Sequence, residues 1–323
     1  MALSYEFSIG SVRARENSMF SEADAEQMLA LKSIDELVRF LKDKGYGEGD
    51  TVDEIIESNT RRMWKYIRSI APDFDIFEPF LIQNDLHNFK TVLKGTMSDR
   101  DYEQLMMEPC TIKKEDMVKA VENRRFDVFP EWLRKPADKA YQRLAETKDA
   151  RLSDAGIDRA VLERLLFLGK KSGSVFLSEY FRTLVFYANV KTALRGAKAG
   201  VERYFYDKAL CEVEGFDKQA VTKEAVTSEE ALVKYLEKQD AYNCRVAMSI
   251  FEESPSKFEK FVEDELIRLA KKLCKLSSEG CEPLMGYYIG CEYERKLIFI
   301  IASGLRTGTP SEKIRERLRE IYG

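Results

Sequence analysis

Asn88-Phe89-Lys90-Thr91-Val92-Leu93-Lys94-Gly95 returns later in the chain as Asn189-Val190-Lys191-Thr192-Ala193-Leu194-Arg195-Gly196. Five of the eight positions are identical. A shorter echo has three copies: Leu37-Val38-Arg39, Met117-Val118-Lys119 and Leu232-Val233-Lys234, each in an acidic-then-apolar stretch. The two echoes alternate. Leu37 precedes Asn88, Met117 precedes Asn189, and Leu232 precedes a related stretch, Glu292-Tyr293-Glu294-Arg295-Lys296-Leu297. One repeat is one packing unit, so three of them imply a pseudo-symmetric assembly rather than a single catalytic pocket.

Around these echoes the spacing is helical throughout. Ile55, Ile56, Met63, Ile67 and Ile70 draw one apolar stripe at three and four spacing, and Leu162, Leu165, Leu166 and Leu168 draw another. Alternating strand patterns are absent. Ser33-Ile34-Asp35-Glu36 reads as a capping box whose helix stops at Gly45. Thr227-Ser228-Glu229-Glu230 reads as a second box. Ser254-Pro255 and Thr309-Pro310 read as helix starts with proline at the first position. About a dozen helices joined by short loops are expected, in an all-α fold of three similar helical modules. Their approximate spans are 1–110, 111–226 and 227–323. The middle module contains breaks at Phe129-Pro130 and Lys135-Pro136, and the connecting stretch 201–226 belongs clearly to neither neighbour.

Composition narrows the function classes. The 323 residues are 44% apolar and 33% charged, as expected of a soluble globular chain, and the net charge is −4. A nucleic-acid partner would require clustered Lys and Arg, whereas the basic pairs Arg61-Arg62, Lys113-Lys114 and Lys170-Lys171 are short and interleaved with acids. No apolar run approaches the ~20 residues of a spanning helix, so direct membrane insertion is not expected. The start of the chain lacks the pattern of a secretory signal. The six cysteines form no Cys-x-x-Cys pair and there is one histidine, so no zinc spacing exists, and reduced, mostly buried thiols are expected.

Catalytic candidates are sparse. A nucleophile–histidine pair would have to use His87, which sits opposite Ala188 of the second echo. Gly45-Tyr46-Gly47-Glu48-Gly49 follows a helix rather than a strand, and Gly169-Lys170-Lys171-Ser172 lacks the first P-loop glycine. With 56 acids, the pair Glu292 and Glu294 cannot be called acid and base, and two residues two apart on a helix face different ways. The same holds for Asn88 with Lys90 and for Asn189 with Lys191. For the asparagines, a hydrogen-bonded packing role and a partner-binding role both stay open. For the lysines, a snorkelling surface role competes with partner binding.

At these residues the chain resembles a known family, the C subunits of the prokaryotic V-type and A-type rotary ATPases, whose eukaryotic V-ATPase counterpart is the d subunit. The matching segments are Asp85 to Leu93, Phe186 to Arg195, Tyr287 to Leu297 and the tail Ser311 to Leu318. The resemblance implies a three-lobed, funnel-shaped, cytoplasmic protein peripheral to the cell membrane. Its closed end would sit on the membrane proteolipid rotor ring, and its open end would be a socket for the central shaft, formed by the D and F subunits. It implies no catalytic residue, cofactor or metal; the role is to carry torque in ATP-coupled proton or sodium transport. Asn88, Lys90, Asn189, Lys191, Glu292, Glu294 and Arg295 become candidate partner-interface residues. The third copy departs from the other two in carrying Glu292 and Glu294 for Asn and Lys. The alternatives are a helical scaffold or adaptor for unrelated partners, and a helical enzyme, which would need perturbed carboxylates in a cleft.

Overall fold

The computed structural model describes residues 4–98 and 100–323. Among them are sixteen α-helices and no strand, so the fold is all-α, with more and shorter helices than the dozen expected. In chain order they are α1 Tyr5–Glu16, α2 Glu22–Ala30, α3 Ile34–Asp43, α4 Val52–Ile70, α5 Glu78–Ser98, α6 Lys114–Glu122, α7 Glu131–Thr147 and α8 Ala150–Lys171. Then follow α9 Val175–Ala199, α10 Arg203–Ala209, α11 Lys218–Thr227, α12 Glu229–Leu236, α13 Cys244–Glu253, α14 Pro255–Ala270, α15 Glu282–Arg306 and α16 Ser311–Arg315.

Local chemistry sets most ends. Ser33 caps α3 by accepting from the Glu36 amide at 3.2 Å. The returning Glu36 carboxylate, however, takes the Lys32 amide at 2.7 Å rather than that of Ser33, so the expected box closes one residue early. Gly45 follows the end of α3 at φ 63°, which a Cβ would strain. A complete box forms instead at Thr51, where Glu54 answers the cap. Ser254 caps α14 with Pro255 at its first position, as the sequence predicts.

Three expected signals shift or fail. The cap of α12 is Ser228, not Thr227. Ser228 is extended, so one residue both ends α11 and opens α12, while the Thr227 hydroxyl bonds back to Lys223. Pro310 is the cap of α16 rather than its first helical residue. Pro136 does not break the chain but lies inside α7. It comes one turn past the helix start and removes one backbone bond, while Leu133, Ala137, Ala140 and Leu144 bury a continuous face on either side of it.

The chain divides into two compact units, Met1–Phe74 with Ser249–Gly323, and Asp75–Met248. The first is assembled from both ends of the sequence, and the second is one continuous segment. This division does not follow the three spans read from the echoes. The second unit holds Asn88 and Asn189 together, and the first holds Leu37 with Glu292.

In the first unit, Met28, Leu37, Leu41, Ile55 and Ile56 pack with Leu297, Ile298, Ile301 and Ile314. The C-terminal tail closes this unit. Tyr322 is buried against Gly286 and Gly290 of α15, where any Cβ would run into the tyrosine ring or hydroxyl. In the second unit, Phe89, Val92 and Leu93 of α5 pack with Met117, Val121, Phe126, Phe129, Leu133 and Ile157. Each fully buried Leu, Ile or Phe contributes about 1.5–3 kcal/mol of transfer free energy, so both units hold together through apolar burial. All six cysteines are free thiols; five are buried and Cys110 is half-buried. No described helix is long and apolar enough to cross a membrane.

Candidate functional site

The echoed asparagines turn inward. Asn88 is fully buried on α5, and its side-chain amide clasps one residue of the following loop. Asn88 Nδ2 donates to the Met107 carbonyl at 2.9 Å, and the Met107 amide donates to Asn88 Oδ1 at 2.7 Å. Asn189 on α9 does the same to Cys211, with Nδ2 donating to the carbonyl at 2.9 Å and Oδ1 accepting from the amide at 3.0 Å. A primary amide presents donor and acceptor side by side, so it can pair with both polar groups of one residue as a neighbouring strand would. The packing reading of the asparagines therefore describes their contacts.

The copies agree beyond the eight quoted positions. Lys114 at the start of α6 donates to the Met106 carbonyl at 3.0 Å, and Lys218 at the start of α11 donates to the Leu210 carbonyl at 2.9 Å. Both lysines stand eight residues past the carbonyl they bond. Gly95 and Gly196 close the repeat. An added Cβ would strike the ring of Tyr102 in the first copy, and would lie 2.7 Å from Tyr206 Cε1 in the second. The clasped residue lies 19 positions after Asn88 and 22 after Asn189. The extra three residues are accommodated where α10 replaces the short 3₁₀ turn Glu103–Leu105. Sequence reading missed Lys114, Lys218, Tyr102 and Tyr206. Shifting the second copy by those three residues would have aligned both lysines.

The lysines of the echo lie on the other side of the helix. Lys90 is 2.5 Å from Asp158, and Lys94 is 2.6 Å from Asp154, both partners on α8. Burial of Asp158 raises its pKa, opposed by the charge and hydrogen bond of Lys90. Lys191 is half-buried on α9. Asp85, three residues before Asn88, accepts from the amides of Thr111 and Ile112 at 2.9 and 3.0 Å. His87 lies with Nε2 2.9 Å from the Leu105 carbonyl, so it too is occupied by the loop that Asn88 holds. Gly169 to Ser172 form the end of α8 rather than a phosphate loop.

The third copy sits on α15. Glu292 and Arg295 pair within the helix at 2.7 Å, and the guanidinium lies 5.6 Å from the Phe299 ring centroid. Glu294 faces the opposite way, 6% exposed, and its Oε1 accepts from the Phe20 amide at 2.5 Å. Burial pushes its pKa up to about 7, against the Phe20 hydrogen bond. The glycines supply the register. Gly304, where a Cβ would run into Ile314, stands seven residues past Leu297, as Gly95 stands past Asn88 and Gly196 past Asn189. Leu297, rather than Glu292, thus lies opposite the two asparagines. Glu294 then corresponds to Asp85, and both are buried carboxyls that accept backbone amides.

The clasp occurs twice in the second unit, whereas the likeness to known proteins runs along nearly the whole chain. The sequence profile of the ATP synthase (C/AC39) subunit family matches residues 8–317. The chain belongs to that family. Among curated relatives, the A-type ATP synthase C subunit of Halorubrum lacusprofundi is 24% identical, with 97% of each chain covered. The V-type sodium ATPase C subunit of Enterococcus hirae is 20% identical, covering 96% of this chain and 97% of its own. The A-type ATP synthase C subunit of Methanocaldococcus jannaschii is 22% identical, covering 97% of this chain and 86% of its own. As a member of the C/AC39 family, the chain is one component of an A- or V-type ATP synthase complex and partners with the others.

Proposed function

We propose that this chain is the non-catalytic central-stalk component that links the shaft, made of the D and F subunits, to the membrane rotor ring. It carries torque between them on the cytoplasmic side, for ATP-coupled transport of protons or sodium ions. The observation that carries this reading is the family match across residues 8–317. In this proposal three modules, 1–110, 111–226 and 227–323, surround a funnel of approximate threefold symmetry.

The physical demand on such a part is stiffness, since a coupler that deforms stores work instead of passing it on. The repeated clasps supply stiffness where helical proteins are softest, at the loops. Two hydrogen bonds from Asn88 or Asn189, a lysine on the preceding carbonyl, and a tyrosine set on a glycine fix each loop to its helix. Close-packed interiors transmit strain rather than absorb it. Asn88, Asn189 and Glu294 hold backbone in place, while the half-buried Lys90, Lys191, Glu292 and Arg295 border the docking faces. A torque-bearing contact should bury at least ~1,000 Å².

The test is recovery of partners from native membranes with a tagged copy of the full chain. The shaft pair and the proteolipid ring should co-purify. Glu292→Lys and Arg295→Glu should reduce that recovery without unfolding the isolated chain. Recovery of neither partner by the unmutated chain would overturn the proposal.

A further inference from the structure

The first unit holds a partly open pocket of about 210 Å³ between the α1–α2 connection, the loop after α3, and helices α4 and α15. A single water needs only ~10–15 Å³ of such space. Three exposed cations, Arg15, Lys44 and Arg62, line its rim, and one buried carboxyl, Glu294, lies in its wall. Arg15 lies on the Tyr66 ring, 3.5 Å from its centroid, which fixes the direction of its guanidinium. Arg62 donates through Nη2 alone, to the Gly45 and Tyr46 carbonyls at 2.9 and 2.6 Å and to Asn59 at 3.1 Å. Its Nε and Nη1 meet no protein acceptor among the described residues. Lys44 shares its charge with Asp24, 2.5 Å away.

Glu294 lies more than nine-tenths buried in the wall, and only its Oε1 is engaged, by the Phe20 amide. Among the described residues no protein donor reaches Oε2. Burial favours the neutral carboxyl, in which one oxygen becomes a donor. Asp24 on α2 pushes the same way. The remaining titratable groups around it, Tyr46, Tyr287 and Cys291, are kept protonated by burial. The lining is therefore rich in donors and net positive.

We propose that this pocket is a binding site for a small oxyanion, held by Arg15 and Arg62 beside the buried Glu294 carboxyl. An occupant would bridge the Ser18–Phe20 connection to the Lys44–Tyr46 loop, two segments that meet here on α15. A cation is disfavoured, since Arg15, Lys44 and Arg62 outnumber the acids Glu294 and Asp24 there.

Calorimetric titration of the full chain with sulfate, at constant ionic strength against chloride, tests this. Sulfate keeps its charge across neutral pH, so any pH dependence belongs to the protein. Saturable one-site binding is expected at about pH 6, weakening several-fold by about pH 8 as Glu294 ionises. Arg62→Ala should weaken it by about tenfold or more, the scale of a charged hydrogen bond. Arg62 also ties down a loop, so Glu294→Gln supplies the second readout. It preserves the acceptor for Phe20 and adds a neutral donor, and it should bind sulfate equally at both pH values. Absence of saturable binding would overturn the site. So would binding that neither substitution alters.

Discussion

The two asparagines make identical bonds but should not matter equally. Removing either side chain orphans one amide and one carbonyl, and each buried orphan costs about 1–3 kcal/mol. Met107 is 43% exposed, so water can replace Asn88 there, whereas Cys211 is fully buried. Asn189→Ala should therefore lose about 2–6 kcal/mol in urea unfolding, and Asn88→Ala distinctly less. Equal losses would mean that the clasped residue's exposure is irrelevant.

Glu294 makes a pH-dependent contribution of known sign. Its folded pKa, about 7, lies above the unfolded value of 4.5, so the folded chain binds the extra proton between those limits. Its contribution is fully present below the unfolded pKa and is lost as pH rises toward 7, by up to about 3 kcal/mol. The stability difference between the unmutated chain and Glu294→Gln should fall through that window and level off above it. A difference that stays flat with pH would place Glu294 in contact with water. At this scale the sequence was partly legible. The echo exposed Asn88 and Asn189, and spacing two apart correctly separated Glu292 from Glu294. The partners of the asparagines were not legible, because Met107 and Cys211 lie in loops whose lengths differ.

At the scale of elements, glycine placement carries information that apolar periodicity does not. Replacing Gly95 or Gly196 by Ala improves intrinsic helix propensity by about 1 kcal/mol. It also forces a methyl into a tyrosine. The methyl at Gly95 would lie 2.9 Å from the Tyr102 Cβ, which no side-chain rotation can move, and the methyl at Gly196 would meet the ring end of the fully buried Tyr206. Thermal unfolding of both Gly95→Ala and Gly196→Ala should therefore come below that of the unmutated chain, by an overpacking cost of about 1–3 kcal/mol net of the propensity gain. The same logic explains why the register of the third copy escaped the sequence. Leu297 has no amide to match Asn88, and only the crowding at Gly304 marks the correspondence. Pro136 misled in the other direction. A proline inside a helix removes one backbone bond, and the four residues that α7 buries around Pro136 offset that loss.

For the whole molecule, the all-α class was legible because helical spacing is a local property. The division into two units was not, since it depends on which distant segments meet. The continuous segment Asp75–Met248 has its own apolar core and both complete clasps. Expressed alone, it should fold, with strong helical circular dichroism and a cooperative thermal transition. A broad, non-cooperative melt would show that it leans on the other unit. Met1–Phe74 alone should fail the same assay, because Leu297, Ile298, Ile301 and Ile314, which complete its core, come from the far end of the chain.

That split has a consequence during synthesis. The ribosome delivers α1 to α4 first, but Leu297, Ile298, Ile301 and Ile314 of α15 and α16, which complete their core, arrive far later. The entire Asp75–Met248 body is translated in between. The earliest helices must therefore wait with bare apolar faces while a later-made body matures, an interval in which aggregation or chaperone capture competes with folding. Slowing elongation between Asp75 and Met248 should lengthen that exposure.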